Sequence, residues 1–133
     1  AAPAVTRCKT LAATGWRAVL RPERLAFHRA NDAAVRLWQE AFWSDRGEAA
    51  RSHLRERGFG DESARRFEVG WAPPGGGWLV EALGREGVSQ ELALRAGLFG
   101  QRGTEPPFAY FRGRIIFPIR NVAQRVAGFG GRL

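Results

Sequence analysis

Between Arg112 and Arg132 the chain places five arginines, at 112, 114, 120, 125 and 132, with no acidic residue among them. A guanidinium offers its N–H donors in a planar fork that matches phosphate oxygens two at a time, so this pattern points to a polyanion, and above all to nucleic acid. On an extended strand Arg112 and Arg114 stand two residues apart and project to one face, while Gly113 leaves the other side open to a close backbone approach. A hairpin pairing residues 114–119 with 125–129 brings Arg120 and Arg125 to its turn and extends this basic ridge. Gly128, Gly130 and Gly131 let a ligand or a neighbouring strand come close. The same residues admit a plainer reading, a charged sheet edge that discourages aggregation and ends in a bulged, glycine-rich strand.

No other grouping competes with these arginines. His28 and His53 fall on separate helices and read as helix-surface residues. Asp61 and Glu62 sit at a helix start, where capping and the helix dipole account for them, and Glu40, Glu48 and Glu56 read as solvated helix faces. Cys8 has no His or Asp beside it to activate a thiolate. Trp38, Phe42 and Trp43 follow helical spacing and read as core rather than as a platform for bases. An acid pair, a phosphate-binding glycine loop and a dinucleotide fingerprint are all missing from the sequence.

Composition bounds what these residues can belong to. A chain of 133 residues, 44% hydrophobic with nine Phe and five Trp, suffices for one domain with its own core. Basic residues outnumber acidic ones 21 to 13, and Lys9 is the only lysine, so the net charge of +8 is almost entirely guanidinium. Codon bias alone can enrich arginine, so position rather than composition has to carry the argument. One Cys and two His supply neither an internal disulfide nor a zinc-ligand cluster, which fits a reducing cytoplasm. Apolar runs stay well short of the ~18 residues of a membrane span, so no membrane partner is expected. The chain lacks Met altogether and ends at Leu133 straight after a strand-like run, as a piece of a longer polypeptide would.

The elements that must position the arginines follow from periodicity. Residues 1–21 lack a clear period and read as a linker or arm. From Pro22, apolar residues at 25, 27, 30, 34, 37, 38, 41 and 42 mark an amphipathic helix ending near Trp43 or Ser44. Ser44 or Asp45 caps a second helix to about Arg57 with Gly58 beyond it, and Asp61 caps a third through Phe67. Two prolines and three glycines make residues 71–78 a loop; a helical face restarts at Trp78, and another short helix runs from Ser89 to Ala96, closed by Gly97. Leu98 and Phe99 begin a strand, residues 100–107 form a polar turn, and residues 115–119 and 126–129 make a hairpin whose Pro118 calls for an edge position or a bulge. The expected fold class is α+β: a helical first two-thirds packed with a small antiparallel sheet near the C-terminus, residues 22–133 forming one unit.

The run Phe111 to Arg120, FRGRIIFPIR, closing with VAGFGGR, resembles the signature of bacterial DnaG-type DNA primases, F-R-x-R, a hydrophobic pair, F-P-I and then G-F-G-G-R. Residues 29–44 resemble the first core helix of that family, and AARSHLRERGF followed by ARRFEVGWAPPGG resembles its R-x-Y-L-x-x-R-G and R-F-x-x-G-x-A-P-x-G-W elements, collinear from about Leu25. The resemblance implies the N-terminal subdomain of the RNA-polymerase core, which guides template and primer. Arg57, Arg112, Arg114 and Arg132 match family motif arginines, and with Arg120 and Arg125 they make the expected nucleic-acid-binding set, Arg114 foremost. No residue here is expected to be catalytic. The resemblance implies partners in single-stranded DNA template, RNA–DNA hybrid and ribonucleoside triphosphates, with the replicative helicase engaged through other parts of the parent protein. Divalent metal (Mg or Mn) and zinc are expected in a following TOPRIM domain and a preceding zinc ribbon, and the implied location is the cytoplasm at the bacterial nucleoid. Two departures stand out: Gln124 takes the place of a turn glycine in R-D-x-x-G-R, and two extra glycines separate Pro74 from Trp78. The altered turn keeps open a non-catalytic, primase-derived binding module; a helical protein-interaction module built around Trp38 and Trp43 is a third class.

Overall fold

The computed structural model describes residues 21–75 and 77–132. The linker expected over residues 1–21 lies outside them, apart from Arg21, which opens the first helix; Cys8 and Lys9 lie outside as well. Helix α1 (Arg21–Trp43) buries Phe27, Ala30, Ala34, Trp38, Ala41 and Phe42, the face that the three-and-four spacing marks out, while Leu25 at its first turns stays 48% exposed. The Ser44 hydroxyl accepts the Arg46 N–H at 3.2 Å and starts a 3₁₀ turn, Asp45–Gly47, before helix α2 (Glu48–Glu56). A side chain at 47 would run into the Phe42 carbonyl, so the expected single helix is split at a glycine that allows this tight return. Helix α3 (Asp61–Arg66) has Gly60 rather than Asp61 at its cap; Asp61 instead accepts two hydrogen bonds from Arg55 of α2, at 3.1 and 3.0 Å. Those bonds hold the Asp61 carboxyl below the usual carboxylate range.

Helices α4 (Trp78–Arg85) and α5 (Gln90–Arg95) follow, α5 capped by the Ser89 hydroxyl, which accepts the Leu92 N–H at 3.1 Å. The four helices α2 to α5 end the same way. The second residue past each helix is left-handed, and the third sends its N–H back to the carbonyl five residues earlier, as Phe59 does to Leu54 and Val88 to Leu83. Gly58, Gly87 and Gly97 fill that left-handed position in three of them, but after α3 it is Glu68, with φ of 57°.

The strands depart further from expectation. Residues 70–72, partly read as loop, form strand β1 (Gly70–Ala72), which pairs antiparallel with β4 (Arg114–Arg120); β4 pairs in turn with β5 (Val126–Arg132), giving the order β1-β4-β5. Separately, β2 (Phe99–Gly100) pairs with β3 (Phe108–Ala109), a strand that directly follows the expected polar turn and that the sequence did not mark. The α+β class stands, with helices dominating before Gly97, yet one strand of the sheet comes from mid-chain. Strand β4 is thus central, but β1 reaches only Ile116, so Pro118 lies where that side of β4 has no strand partner, and a register shift follows between Ile119 and Arg120.

Both faces of the sheet are covered. Trp38, fully buried, meets Phe129 and Phe111 edge-on at 5.0 and 5.9 Å on one side, with Ile116, Leu79 and Leu83. On the other, Ile115 packs with Phe42, Ala50, Leu54, Ala64 and Val69. The β4–β5 turn closes through Asn121, whose carboxamide oxygen accepts the N–H groups of Ala123 at 2.9 Å and Arg125 at 3.1 Å. Gln124, at φ 64°, adopts the left-handed conformation for which the family pattern has glycine, and so the altered turn keeps the glycine-type geometry at a conformational cost. Replacing it should relieve that cost: Gln124→Gly is expected to stabilise the fold by about 0.5–1 kcal/mol in urea unfolding, with an unchanged m-value.

Candidate nucleic-acid interface

The register of the sheet decides where the arginines go. Arg114 pairs with Ala72 and Arg132 with Ile115, so the exit of β1, the entry of β4 and the last residues of β5 meet at one end. Arg112 enters there too, but outside the strand: Gly113, at φ 61°, turns the chain between it and Arg114, so the two do not share a strand face. Alternation along the paired strands puts Arg114 on the face of Ile116 and Phe129, and Arg132 on the face of Ile115. The expected continuous ridge is therefore a cluster gathered around a sheet end, approached from both faces. Gly131 owes its identity to packing, since a Cβ there would come within 2.7 Å of the Phe111 ring.

Partnering divides the six expected residues. Arg112 and Arg132 are exposed, Arg114 is half-buried, and none of the three has a carboxylate partner among the described residues. Arg57, the exposed C-cap of α2, is likewise without one. Arg120 and Arg125 lie instead at the hairpin turn, and both are engaged. Arg120 donates to the two Glu68 oxygens at 2.7 and 2.8 Å and to the Gln124 carbonyl at 2.7 Å, and the Glu68 carboxylate raises the Arg120 pKa above its ordinary value. Arg125 lies 3.6 Å from Asp32 of α1.

Two side chains that sequence reasoning assigned no role meet each other at the start of α4. Trp78 opens α4 directly after the Pro73–Pro74 loop, and the Arg46 guanidinium sits 6.0 Å from its ring centre. Trp78 was visible as the last residue of the A-P-x-G-W element; Arg46 was not, because the 3₁₀ turn that places it leaves no periodic signal. Pro74 of the same loop faces Gly113. Groups of three or more His, Cys, Asp or Glu that would hold a metal ion are absent among the described residues, and no described helix is long and apolar enough to cross a membrane.

Comparison with known proteins bears on the same stretch. Residues 37–133 match the family model for the DNA primase catalytic core, N-terminal domain. The chain belongs to this family. A DNA primase of Salmonella typhimurium is 31% identical over 122 residues, covering 92% of this chain and 21% of the relative, and one of Mycobacterium bovis is 38% identical over 112 residues, 84% and 17%. The primase chain thus spans about a fifth of the length of the curated relatives it matches. Among solved structures, a DnaG primase catalytic domain bound to single-stranded DNA superposes with a TM-score of 0.79 at 29% identity, covering 86% of this chain and 37% of that one. The DnaG-type signature carried by residues 111–132 and the fold therefore agree.

The pairing pattern separates two roles that can be measured. Arg120→Ala and Glu68→Ala should each cost about 0.5–1 kcal/mol in urea unfolding, modest because both side chains are about one-third exposed. Glu68→Gly should cost less than Glu68→Ala, since glycine loses the ion pair but removes the left-handed strain.

Proposed function

We propose that this chain is the nucleic-acid-guiding front segment of a DNA primase, a DNA-dependent RNA polymerase that makes short RNA primers on single-stranded DNA during replication. The observation that supports this reading most is the sheet end itself, where Arg112, Arg114 and Arg132 stand on adjoining chain segments beside the Pro73–Pro74 loop, none of them paired with a carboxylate of the described residues. Guanidiniums free of acid partners attract phosphates, and phosphate contacts position a strand without reading its bases. Arg57 adds a fourth such group, while Arg120 and Arg125 hold the hairpin and offer their remaining N–H donors at its turn.

The fitting ligands are template phosphates, the RNA–DNA hybrid and the incoming ribonucleoside triphosphates. Divalent metal and zinc are assigned to other parts of the parent protein, as the resemblance to the family implies. The replicative helicase would be met through those parts as well, in a bacterial cytoplasm. What the segment contributes to transfer is electrostatics and geometry.

Two outcomes are expected. The purified chain, given single-stranded template, Mg or Mn and four ribonucleotides, yields no primer on a denaturing gel; template-dependent product would contradict the division of labour proposed. Arg114→Ala should weaken binding to unrelated single strands about equally and lower the slope of log affinity against log salt by roughly 0.7, the value for one phosphate contact on a single strand. An unchanged slope in a variant with native melting would remove Arg114 from the interface.

A further inference from the structure

Outside the six arginines of the expected set but one, a second cationic site stands next to the sheet end. Arg102 and Arg112 both lie over the ring of Phe108, with guanidinium carbons 5.5 and 5.3 Å from its centre. The two cations are thus no more than about 11 Å apart, close to one Debye length at ~0.1 M salt, so their repulsion is only partly screened. Neither forms an ion pair with a carboxylate of the described residues, although Glu105 lines the same cavity of about 350 Å³, together with Arg102, Pro106, Phe108 and Arg112.

Local structure holds this arrangement in place. The Glu105 N–H donates to the Arg102 carbonyl at 2.9 Å, and the Gln101 side-chain amide donates to the Glu105 carbonyl at 3.0 Å, which ties the turn carrying Arg102. Gly100 pairs with Phe108, and a Cβ at 100 would stand 2.8 Å from the Phe108 ring and 3.2 Å from that of Tyr110; its absence lets both rings lie across β2. An arginine stacked on a ring keeps its in-plane N–H donors pointing outward. Two such forks around one open cavity, neither of them paired with a carboxylate of the described residues, call for an anion with several acceptor oxygens.

We propose that Arg102, Phe108 and Arg112 form a phosphate clamp, with Arg102 as a binding residue that neither the signature nor the ridge indicates. The clamp rests on the reading of this chain as a nucleic-acid-guiding segment and extends it to a second contact along the strand. Its ligand is a phosphate group, supplied either by the backbone of a single strand or by the tail of a nucleoside triphosphate.

The test uses the full chain and the variants Arg102→Gln and Arg102→Lys, with melting temperature recorded for each. Binding is measured to a mixed-sequence oligodeoxynucleotide lacking a 5′ phosphate, by fluorescence anisotropy at several salt concentrations, and to inorganic triphosphate, by calorimetry. Arg102→Gln is expected to weaken one ligand roughly tenfold, the loss of a hydrogen bond to a charged group. If that ligand is the oligonucleotide, its salt slope falls by roughly 0.7, and the strand is the source. If it is triphosphate alone, the nucleotide tail is the source. Arg102→Lys should retain part of the affinity, since charge remains and the fork is lost. A variant that melts lower but binds both ligands as the wild type does makes Arg102 a packing residue and overturns the clamp alone. A wild-type chain that binds neither ligand overturns the clamp and the nucleic-acid reading beneath it together.

Discussion

The rest of the structure hangs on the close approach of α1 to β1 at Gly70. A Cβ at that position would fall on the Cβ of Trp38, so only glycine lets the helix backbone lie directly against the strand. With the helix this near, the Trp38 ring reaches past β1 to Phe111 and Phe129 and joins the first helix to the chain just before β4 and to β5. Asn31, the buried polar side chain of the described residues, donates to the Val126 carbonyl at 3.3 Å and fixes the middle of the same helix on β5. The sheet is held from one long helix, and the register that gathers Arg114 and Arg132 is set before any charge is considered.

Much of this architecture can be read from the amino acids, and what cannot has a physical reason. Two helix ends were visible because their stops are chemical: Gly58 and Gly97 each occupy a left-handed position that most other residues avoid. Strand β1 was not visible, since three residues, Gly-Trp-Ala, beside two prolines show no alternation, and their partners on β4 lie more than forty positions away. For the arginines, composition and spacing located the hairpin that carries Arg114, Arg120, Arg125 and Arg132, and even its turn. They misplaced Arg112, because a positive φ at Gly113 breaks the strand period. Nor could they distinguish paired from unpaired guanidiniums, because Glu68 and Asp32, which engage Arg120 and Arg125, belong to distant helical segments.

A net charge of +8 is thereby put to two uses. Guanidiniums that meet carboxylates, such as Arg36 with Glu86 and Arg55 with Asp61, tie helical segments together at the protein surface, where each such pair is worth little. Others lie over aromatic rings, Arg102 and Arg112 at Phe108, Arg65 at Trp43 and Arg46 at Trp78. Stacking keeps such a cation oriented without neutralising it, and a polyanion then meets a field already arranged.

Glu68 sets a constraint of a different kind, on how this chain can change over generations. It stands at a helix stop where its three counterparts are glycine, and its carboxylate answers Arg120 across the hairpin. Loss of Arg120 would leave the strain of position 68 with nothing to offset it, and glycine would become the fitter choice there. Loss of Glu68 would in turn free Arg120 from the fold and add it to the cations open to a ligand. Across divergent relatives the two positions should accordingly covary, glycine at the first accompanying an unpaired or absent cation at the second, so that a shift in the charge of the hairpin is recorded at the end of a helix fifty-two residues away.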